Sequence, residues 1–350
     1  VSAVGLPGTP AYAKVQNYAI LTVVASQPAE DSFRPSHYFA ETKTSPFRES
    51  HINWAALNTL PRASVAGTLP SITDLADRML KPSMYLCTTA GDTIVHPANM
   101  VYTPGGNGMG IAFVTGDAGM VLNLDYSQAE KRDLLLGVLQ TAIDELKMLE
   151  HGAQWYMDGG HNSGRLTPIV VAAGVLGGAF RPYAGMTASR FQEGQETIFL
   201  TSEYFTTPMG WMMCCRGAVQ SPQCSTNGGP NEYVRRHGNC EPVYEFWENA
   251  PAPDTTYNVV GSAWLKLGNE IWRANNTWSG FDNGYIDMAS SSITGPTMTA
   301  RVMGLREAVN HEPLFVYAAR IADTGWEATK TGWWNPSSAF HKSFYTAFKY

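Results

Sequence analysis

One glycine-rich turn holds most of the side chains in this sequence that could carry out chemistry. It runs from Asp158 to Arg165 and reads Asp-Gly-Gly-His-Asn-Ser-Gly-Arg. His161 can exchange a proton near neutral pH, and Arg165 can bind a carboxylate, sulfate or phosphate through two parallel hydrogen bonds. With Asp158 and Asn162, these residues predict a functional site. The alternative is a glycine-rich helix connection whose polar side chains bond exposed backbone, since Gly, Asn and Ser are ordinary turn residues.

A long amphipathic helix should lead into this turn. Ser127 and Glu130 have the spacing of a capping box, which predicts that the helix begins there. His151 in the last turn and Gly152 after it are typical of a helix end. Apolar residues fill most positions, so we expect only a narrow polar row to face water. That row comprises Asp133, Gly137, Gln140, Asp144 and Lys147.

A second, wholly apolar helix should follow the turn. Thr167 and Pro168 are typical of an N-cap and a first helical residue. The residues from Ile169 to Phe180 are apolar on all sides, which predicts a helix in the interior and places the turn centrally. Because a helix amino terminus attracts anions, this position favours anion binding by Arg165.

Composition excludes several classes of partner. The 350 residues carry a net charge of −6 and no basic run, so we expect no nucleic-acid partner. No apolar run approaches the roughly 20 residues that span a membrane, so we expect no membrane partner. Only 15% of the residues are charged, whereas Gly, Pro and aromatic residues are plentiful, which favours an extracellular or particle-associated protein. An export signal is not observable in a chain that begins at Val1, and the sequence leaves the oligomeric state open.

The cysteines and histidines predict no metal site, and no motif predicts a cofactor. The five cysteines contain no Cys-x-x-Cys spacing and the eight histidines are scattered. No phosphate-binding loop, nucleophile elbow or zinc-protease motif occurs. Cys224 and Cys240 lie in a stretch rich in Gly, Asn, Ser and Pro, where a disulfide would stabilise a loop, and we predict that they pair. Free buried thiols are the alternative.

The whole chain divides into an amino-terminal arm, residues 1–69, and a helical domain, residues 70–350, with an irregular insertion around 206–255. In the arm, Ala13 to Ser26 predicts a strand and Asp31 to Leu69 predicts an ordered, meandering segment. In the helical domain a loop is expected over Asn275 to Asp287. Further helices are predicted from Ser71 to a stop at Lys81-Pro82, over Ile111 to Met120, from Pro296 through Val309, from Pro313 through Asp323, and from Ser337 onward.

Two further groups of polar residues are candidates for ligand binding. Arg235, Arg236 and His237 precede several aromatic residues, which suggests an anionic subsite with flat apolar faces for sugar rings. A solvated surface is the alternative for these basic residues. Asn310 and His311 belong to a second compact polar loop, Asn310-His311-Glu312, between two predicted helices.

Helix pairs joined by polar loops therefore recur along the chain. Stacked around an axis, such pairs form an α/α toroid in which the loops at one end line a cleft. We predict a mainly α fold, namely an α/α-toroid-like array of helical hairpins, complete or incomplete, with a short β or irregular arm at the amino terminus.

Several segments carry a family resemblance. Asp125 to Arg132, the turn from Asp158 to Arg165, and Pro168 resemble a group of largely uncharacterised bacterial and viral proteins, whose layout is similar to α/α-toroid polysaccharide lyases and glycosidases. The resemblance extends to the loop Asn310-His311-Glu312 and to the aromatic helix from Phe315 to Arg320. It covers the middle and the end of the chain, and it implies a carbohydrate-active protein that cleaves an acidic polysaccharide.

This resemblance implies one of two reactions. In β-elimination, Arg165 or Asn162 would stabilise the carboxylate of a uronic acid while His161 or a tyrosine removes the C5 proton. In hydrolysis, two carboxyl groups about 5 to 10 Å apart would act together. The tyrosine candidates are Tyr156 and Tyr285, and the carboxyl candidates are Asp158, Asp287 and, third, Glu312. The grouping of His161, Asn162 and Arg165 favours elimination.

Substrate binding is assigned to a separate set of residues. The binding candidates are Tyr156, Arg235, Arg236, His237, Trp278, Asn310 and His311.

The second hypothesis is a non-catalytic structural, surface, filament or virion component, or a glycan-binding module, on a similar helical scaffold. The low charge content and the abundance of Gly, Pro and aromatic residues favour this alternative.

Overall fold

A computed structural model describes residues 21–24, 26–38, 43–44, 46–80, 108–155, 162–195, 283–312, 314–315, 318–319 and 339–350. These residues are mainly helical, as predicted, and their only β pairing consists of two isolated bridges. The helices are α1 (Ile72–Met79), α2 (Gly108–Val121), α3 (Gln128–Glu150), α4 (Leu166–Val175), α5 (Arg181–Ala184), α6 (Thr187–Arg190), α7 (Gln192–Gln195), α8 (Asn283–Val302), α9 (Arg306–Val309) and α10 (Ala339–Phe348).

The arm is a meandering segment that contacts helix α3, the residues just after α2 and the end of α4. Its described residues from 31 to 69 contain three short 3₁₀ helices, Glu49–His51, Trp54–Ala56 and Arg62–Ser64, which agrees with the predicted meandering segment. The predicted strand is not formed in its described residues 21–24 and 26. Leu21 and Val23 there are almost fully exposed, so their alternation with polar residues does not reflect packing against a core.

Helix α3 confirms the predicted caps but corrects the predicted polar row. Ser127 and Glu130 form the capping box, and Gly152 adopts a left-handed conformation with φ +84° after the helix end. Within the row, however, Gly137 and Asp144 are buried. Gly137 meets Met79 of α1, and Asp144 pairs with Arg34 of the arm. Gly137 and Asp144 are therefore covered by α1 and the arm, whereas Asp133 in the same row remains exposed.

Helix α4 is the predicted interior helix, with different ends. It begins at Leu166 with Arg165 in the N-cap position, so Pro168 is not the first helical residue, and it stops at Val175 rather than Phe180. Every residue of α4 except Gly174 is buried. The start of α4 lies earlier because the Glu193 carboxylate accepts hydrogen bonds from the Gly164 and Leu166 backbone, which replaces a local cap.

Helix α8 forms the centre of the packing with α2. Pro296 was expected to open a helix but lies inside α8, which already starts at Asn283, within the predicted loop 275–287. A Cβ at Gly295 would lie 2.5 Å from the Gly116 Cα, so these two glycines allow the helix backbones to touch. Val309 belongs to the separate helix α9, which follows a left-handed Gly304.

The carboxy-terminal helix α10 packs against α2 and α8. It begins at Ala339, close to the predicted start at Ser337. Phe340, Phe344 and Tyr345 are buried. His341 Nε2 lies 2.8 Å from Asp117 Oδ1 on α2. His341 is thus buried in the contact between α10 and α2.

Candidate functional site

The structure describes part of the predicted site. Asn162, Arg165, Asn310 and His311 have described side chains, and Tyr285 and Asp287 lie in the first turns of α8. The remaining predicted residues lie outside the described residues: Tyr156, Asp158, His161, Arg235, Arg236, His237, Trp278, Cys224 and Cys240. The turn is thus described from Asn162 onward.

The two predicted polar loops meet through a segment that the sequence analysis did not single out. Gln192 Oε1 accepts a hydrogen bond of 2.8 Å from the Asn162 backbone N–H. Two residues later, the Gly194 carbonyl oxygen lies 3.1 Å from His311 Nε2. The first residues of α7 therefore connect the turn before α4 to the loop after α9.

Glu193, between these two contacts, fastens the start of α4. Its Oε1 accepts hydrogen bonds from the Gly164 N–H at 2.7 Å and the Leu166 N–H at 3.3 Å. The sequence predicts an external anion at this helix start. The structure instead has the Glu193 carboxyl group of the protein itself there, and this group satisfies the same backbone donors.

Asn162 and Arg165 are buried rather than exposed to a ligand. Their exposed fractions are 4% and 0%. Arg165 Nη1 donates a hydrogen bond of 2.8 Å to the Ser163 carbonyl oxygen. Its charge also acts on two buried acids, Glu193 and Glu145 of α3. In the described residues, the guanidinium therefore holds the turn together and compensates internal negative charge.

Gly164 lets this turn press against α2. Its φ is +91°, and a Cβ at this position would lie 2.6 Å from the Ala112 backbone nitrogen. No other residue type fits both the left-handed backbone and this approach without displacement. On the other side of the contact, Thr115 Oγ1 lies 2.9 Å from the Ile111 carbonyl oxygen and 3.1 Å from that of Gly164. The position of the turn is thus fixed by backbone contact as well as by charge.

The two buried acids differ in their surroundings. Burial raises the pKa of Glu145 well above its usual range, whereas the Arg165 charge lowers it and the Glu193 and Asp144 charges raise it further. Neither carboxyl oxygen of Glu145 has a hydrogen-bond partner among the described residues. Burial also raises the pKa of Glu193, but backbone N–H groups and Arg165 oppose that rise. The ionised form is therefore better stabilised on Glu193.

His311 is a neutral histidine in this cluster. Burial lowers its pKa to about 4, although the Gly194 carbonyl and the Glu312 charge act in the opposite direction. A carbonyl oxygen can only accept, so the hydrogen bond to Gly194 places the proton on Nε2. Asn310 precedes it in a left-handed conformation with φ 48° and is exposed. Glu312, the third carboxyl candidate, forms an ion pair with Arg306.

Three residues of this cluster, Glu145, Gln192 and Glu193, are not among those predicted from the sequence. Glu145 did carry a signal, because it lies outside the polar row of α3, among positions that are otherwise apolar. A carboxyl group on an apolar face indicates burial and a shifted pKa. Gln192 and Glu193 carried none, since the stretch from 186 to 211 shows no periodicity. Their partners lie about 30 residues away, in the turn before α4.

A separate pocket of about 270 Å³ lies between the arm and the end of α3. It is lined by Pro35, Phe47, Lys43, Lys147 and Glu150 among others. Lys43 Nζ donates to the Tyr38 carbonyl oxygen, and Lys147 Nζ lies 3.2 Å from Glu150. None of the predicted site residues lines this pocket, so it is distinct from the turn.

The described residues contain neither a group of metal ligands nor a membrane-spanning helix. Among their side chains, no three from His, Cys, Asp and Glu are grouped so that they could hold a metal ion. None of the helices in this part of the chain combines the length and apolar character needed to cross a membrane.

Comparison with known proteins finds no family model, no curated protein and no solved structure that matches this chain. The resemblance to α/α-toroid lyases and glycosidases therefore stays a prediction.

Proposed function

We propose that this chain is an extracellular or particle-associated carbohydrate-active enzyme that cleaves an acidic polysaccharide. The observation that carries the proposal is the convergence of two polar loops, 162–165 and 310–312, on one cluster of buried ionisable groups. Buried groups with shifted pKa values occur preferentially at catalytic sites. We further propose that the helical hairpins are arranged as in an α/α toroid, with these loops at one end.

In the proposed elimination, His161 is the base and Arg165 is a positioning residue. The base takes the proton from C5 of a uronic acid, a double bond forms between C4 and C5, and the C4–O bond to the leaving sugar breaks. His161 directly precedes Asn162, whose backbone is held by Gln192. Because Arg165 is fully buried, it would act by fixing this turn, and the substrate carboxylate would meet Arg235, Arg236 and His237.

Hydrolysis is the second reaction that this proposal includes. It requires two carboxyl groups, and Asp158 and Asp287 are the candidates. Glu312 is a weaker candidate because its carboxylate already pairs with Arg306. Product analysis separates the two reactions, since elimination creates an unsaturated sugar and hydrolysis does not.

The test is turnover of a panel of uronic-acid polysaccharides by the full chain, with ultraviolet absorbance of the unsaturated product and reducing ends as readouts. We expect His161→Ala to lose at least about a hundredfold in activity, the usual contribution of a general base, without a change in Tm. His51→Ala, at an exposed histidine of the arm, is the matched control and should retain full activity. If the wild type cleaves these glycans and His161→Ala cleaves them equally well, the assignment of the base is wrong.

A non-catalytic role is the second candidate, and one observation favours it. The Asn162 and Gly164 backbone N–H groups and Arg165 Nη1 bond within the protein, and the Glu193 carboxyl group occupies the anion position at the start of α4. On this hypothesis the chain is a structural, surface, filament or virion component, or a glycan-binding module. The purified protein would then assemble or bind glycans in the same panel without producing unsaturated sugars or reducing ends.

A further inference from the structure

Three ionisable side chains from three elements meet in the interior. Arg165 comes from the turn before α4, Glu145 from α3 and Glu193 from α7, and the exposed fraction of each is 0%. In the described part of the chain, the charged groups that act on Glu145 are Arg165, Glu193 and Asp144. His311, which contacts Gly194 next to Glu193, is neutral at physiological pH.

Asp144 does not share the charge of Arg165, because it has its own cation. Its two carboxylate oxygens accept hydrogen bonds of 3.1 and 2.6 Å from Arg34, and His37 Nδ1 lies 3.3 Å away. The described residues thus leave one cation, Arg165, opposite two buried acids. A second buried carboxylate without a compensating charge is strongly unfavourable, and such a group takes up a proton instead.

The hydrogen bonds decide which acid carries the proton. Glu193 accepts two backbone N–H bonds, from Gly164 and Leu166, and such bonds stabilise the ionised form. Glu145 accepts none from the described residues. The negative charge therefore belongs on Glu193.

We propose that Glu145 and Glu193 hold a single negative charge between them at neutral pH, with the charge on Glu193 and a proton on Glu145. The pair is a titratable device in the core that makes the stability of the folded chain depend on pH. This inference does not depend on the proposed enzymatic function, since it follows from burial, hydrogen bonds and charge balance.

The direction in which stability changes with pH follows from the pKa of Glu145. Burial raises the pKa of Glu145 in the folded chain above the value in the unfolded chain. The folded state therefore keeps a proton that the unfolded state releases once the pH exceeds the usual range for glutamate. The stabilisation is fully present below the unfolded pKa, and it is lost progressively as pH rises towards the folded pKa.

Infrared difference spectroscopy of the full chain at neutral pH tests the location of the proton. We expect the wild type to show the carbonyl band of a protonated carboxylic acid, and Glu145→Gln to lose it. Glu150→Gln, at an exposed acid on the same helix, is the matched control and should keep the band. Glu193→Gln should also lose the band, because Glu145 then ionises to balance Arg165. A band that persists in Glu145→Gln or in Glu193→Gln would overturn the proposal, as would its absence from the wild type.

Urea unfolding as a function of pH provides a second, independent measurement. Between the unfolded and folded pKa values of Glu145, the folding constant of Glu145→Gln should rise relative to wild type by about tenfold per pH unit. Glu150→Gln should show no such rise. A ratio that is constant from about pH 5 to about pH 8 would contradict the proposal. So would failure of Glu145→Gln to fold while Glu150→Gln folds, because a neutral isostere of a neutral acid should be tolerated.

Discussion

Helix α3 lies between the arm and the turn before α4, and buried acids are paired with cations differently on these two sides. The adjacent residues Asp144 and Glu145 show the difference most clearly. Asp144 is 1% exposed and faces the arm, where Arg34 binds both of its carboxylate oxygens. Glu145 is 0% exposed and faces the turn before α4, where Arg165 is shared with Glu193. On the arm side the described charges are matched, whereas on the turn side acids outnumber cations. A surplus of buried acid is of little use for stability, so it marks the turn side as the place to look for function.

Removing Asp144 should give the largest loss of stability. We expect Asp144→Ala to lower the free energy of unfolding by about 3 to 5 kcal/mol, since it leaves a partly buried Arg34 without its counter-charge. Urea denaturation followed by circular dichroism measures the change. Asp133→Ala is the matched control, because that carboxylate lies on the same helix with 65% of its side chain exposed. Equal effects of the two substitutions would mean that the arm is not held to α3 by this buried pair.

Features of the fold that depend on neighbouring residues could be predicted from the sequence. The capping box at Ser127, the left-handed glycine at position 152 and the apolar α4 all involve contacts within a few residues or a simple periodicity. The prediction that Pro168 and Pro296 each open a helix was wrong, because residues distant along the chain determine where these helices begin. Glu193 supplies the cap of α4, and Pro296 lies inside a helix whose packing on α2 outweighs one missing hydrogen bond.

The same distinction applies to the candidate site. The turn and the loop 310–312 could be recognised because polar residues are concentrated there in the sequence. The connection between them could not, since Gln192 and Gly194 bond to residues that are distant along the chain. The role of Arg165 was likewise open, because sequence alone does not say whether a guanidinium faces a ligand or internal acids.

Gly164 and Gly152 offer the next test, on the turn side of the comparison. Both have positive φ, +91° and +84°, but only Gly164 lies against another backbone. We expect Gly164→Ala to destabilise the protein by about 2 to 4 kcal/mol, through left-handed strain plus overpacking against Ala112. Gly152→Ala adds no contact within 4 Å, so it should cost only the strain, about 1 kcal/mol. Thermal unfolding of both variants measures the difference, and equal losses would show that the turn does not need its close approach to α2.

The smallest effect should come from the exposed counterpart of the Asp144 pair. Arg132 of α3 binds both carboxylate oxygens of Glu49 in the arm at 2.6 Å, yet 49% of its side chain is exposed. The same two elements are thus joined twice, by pairs of similar geometry and different burial. Since exposed ion pairs contribute little, we expect Arg132→Ala to change the free energy of unfolding by less than about 1 kcal/mol.

High salt should reduce even this effect of Arg132→Ala while leaving that of Asp144→Ala largely intact, because screening acts on exposed charges first. Urea unfolding of both variants in low and high salt separates the two cases, and a large, salt-resistant loss in Arg132→Ala would show that burial does not rank these pairs.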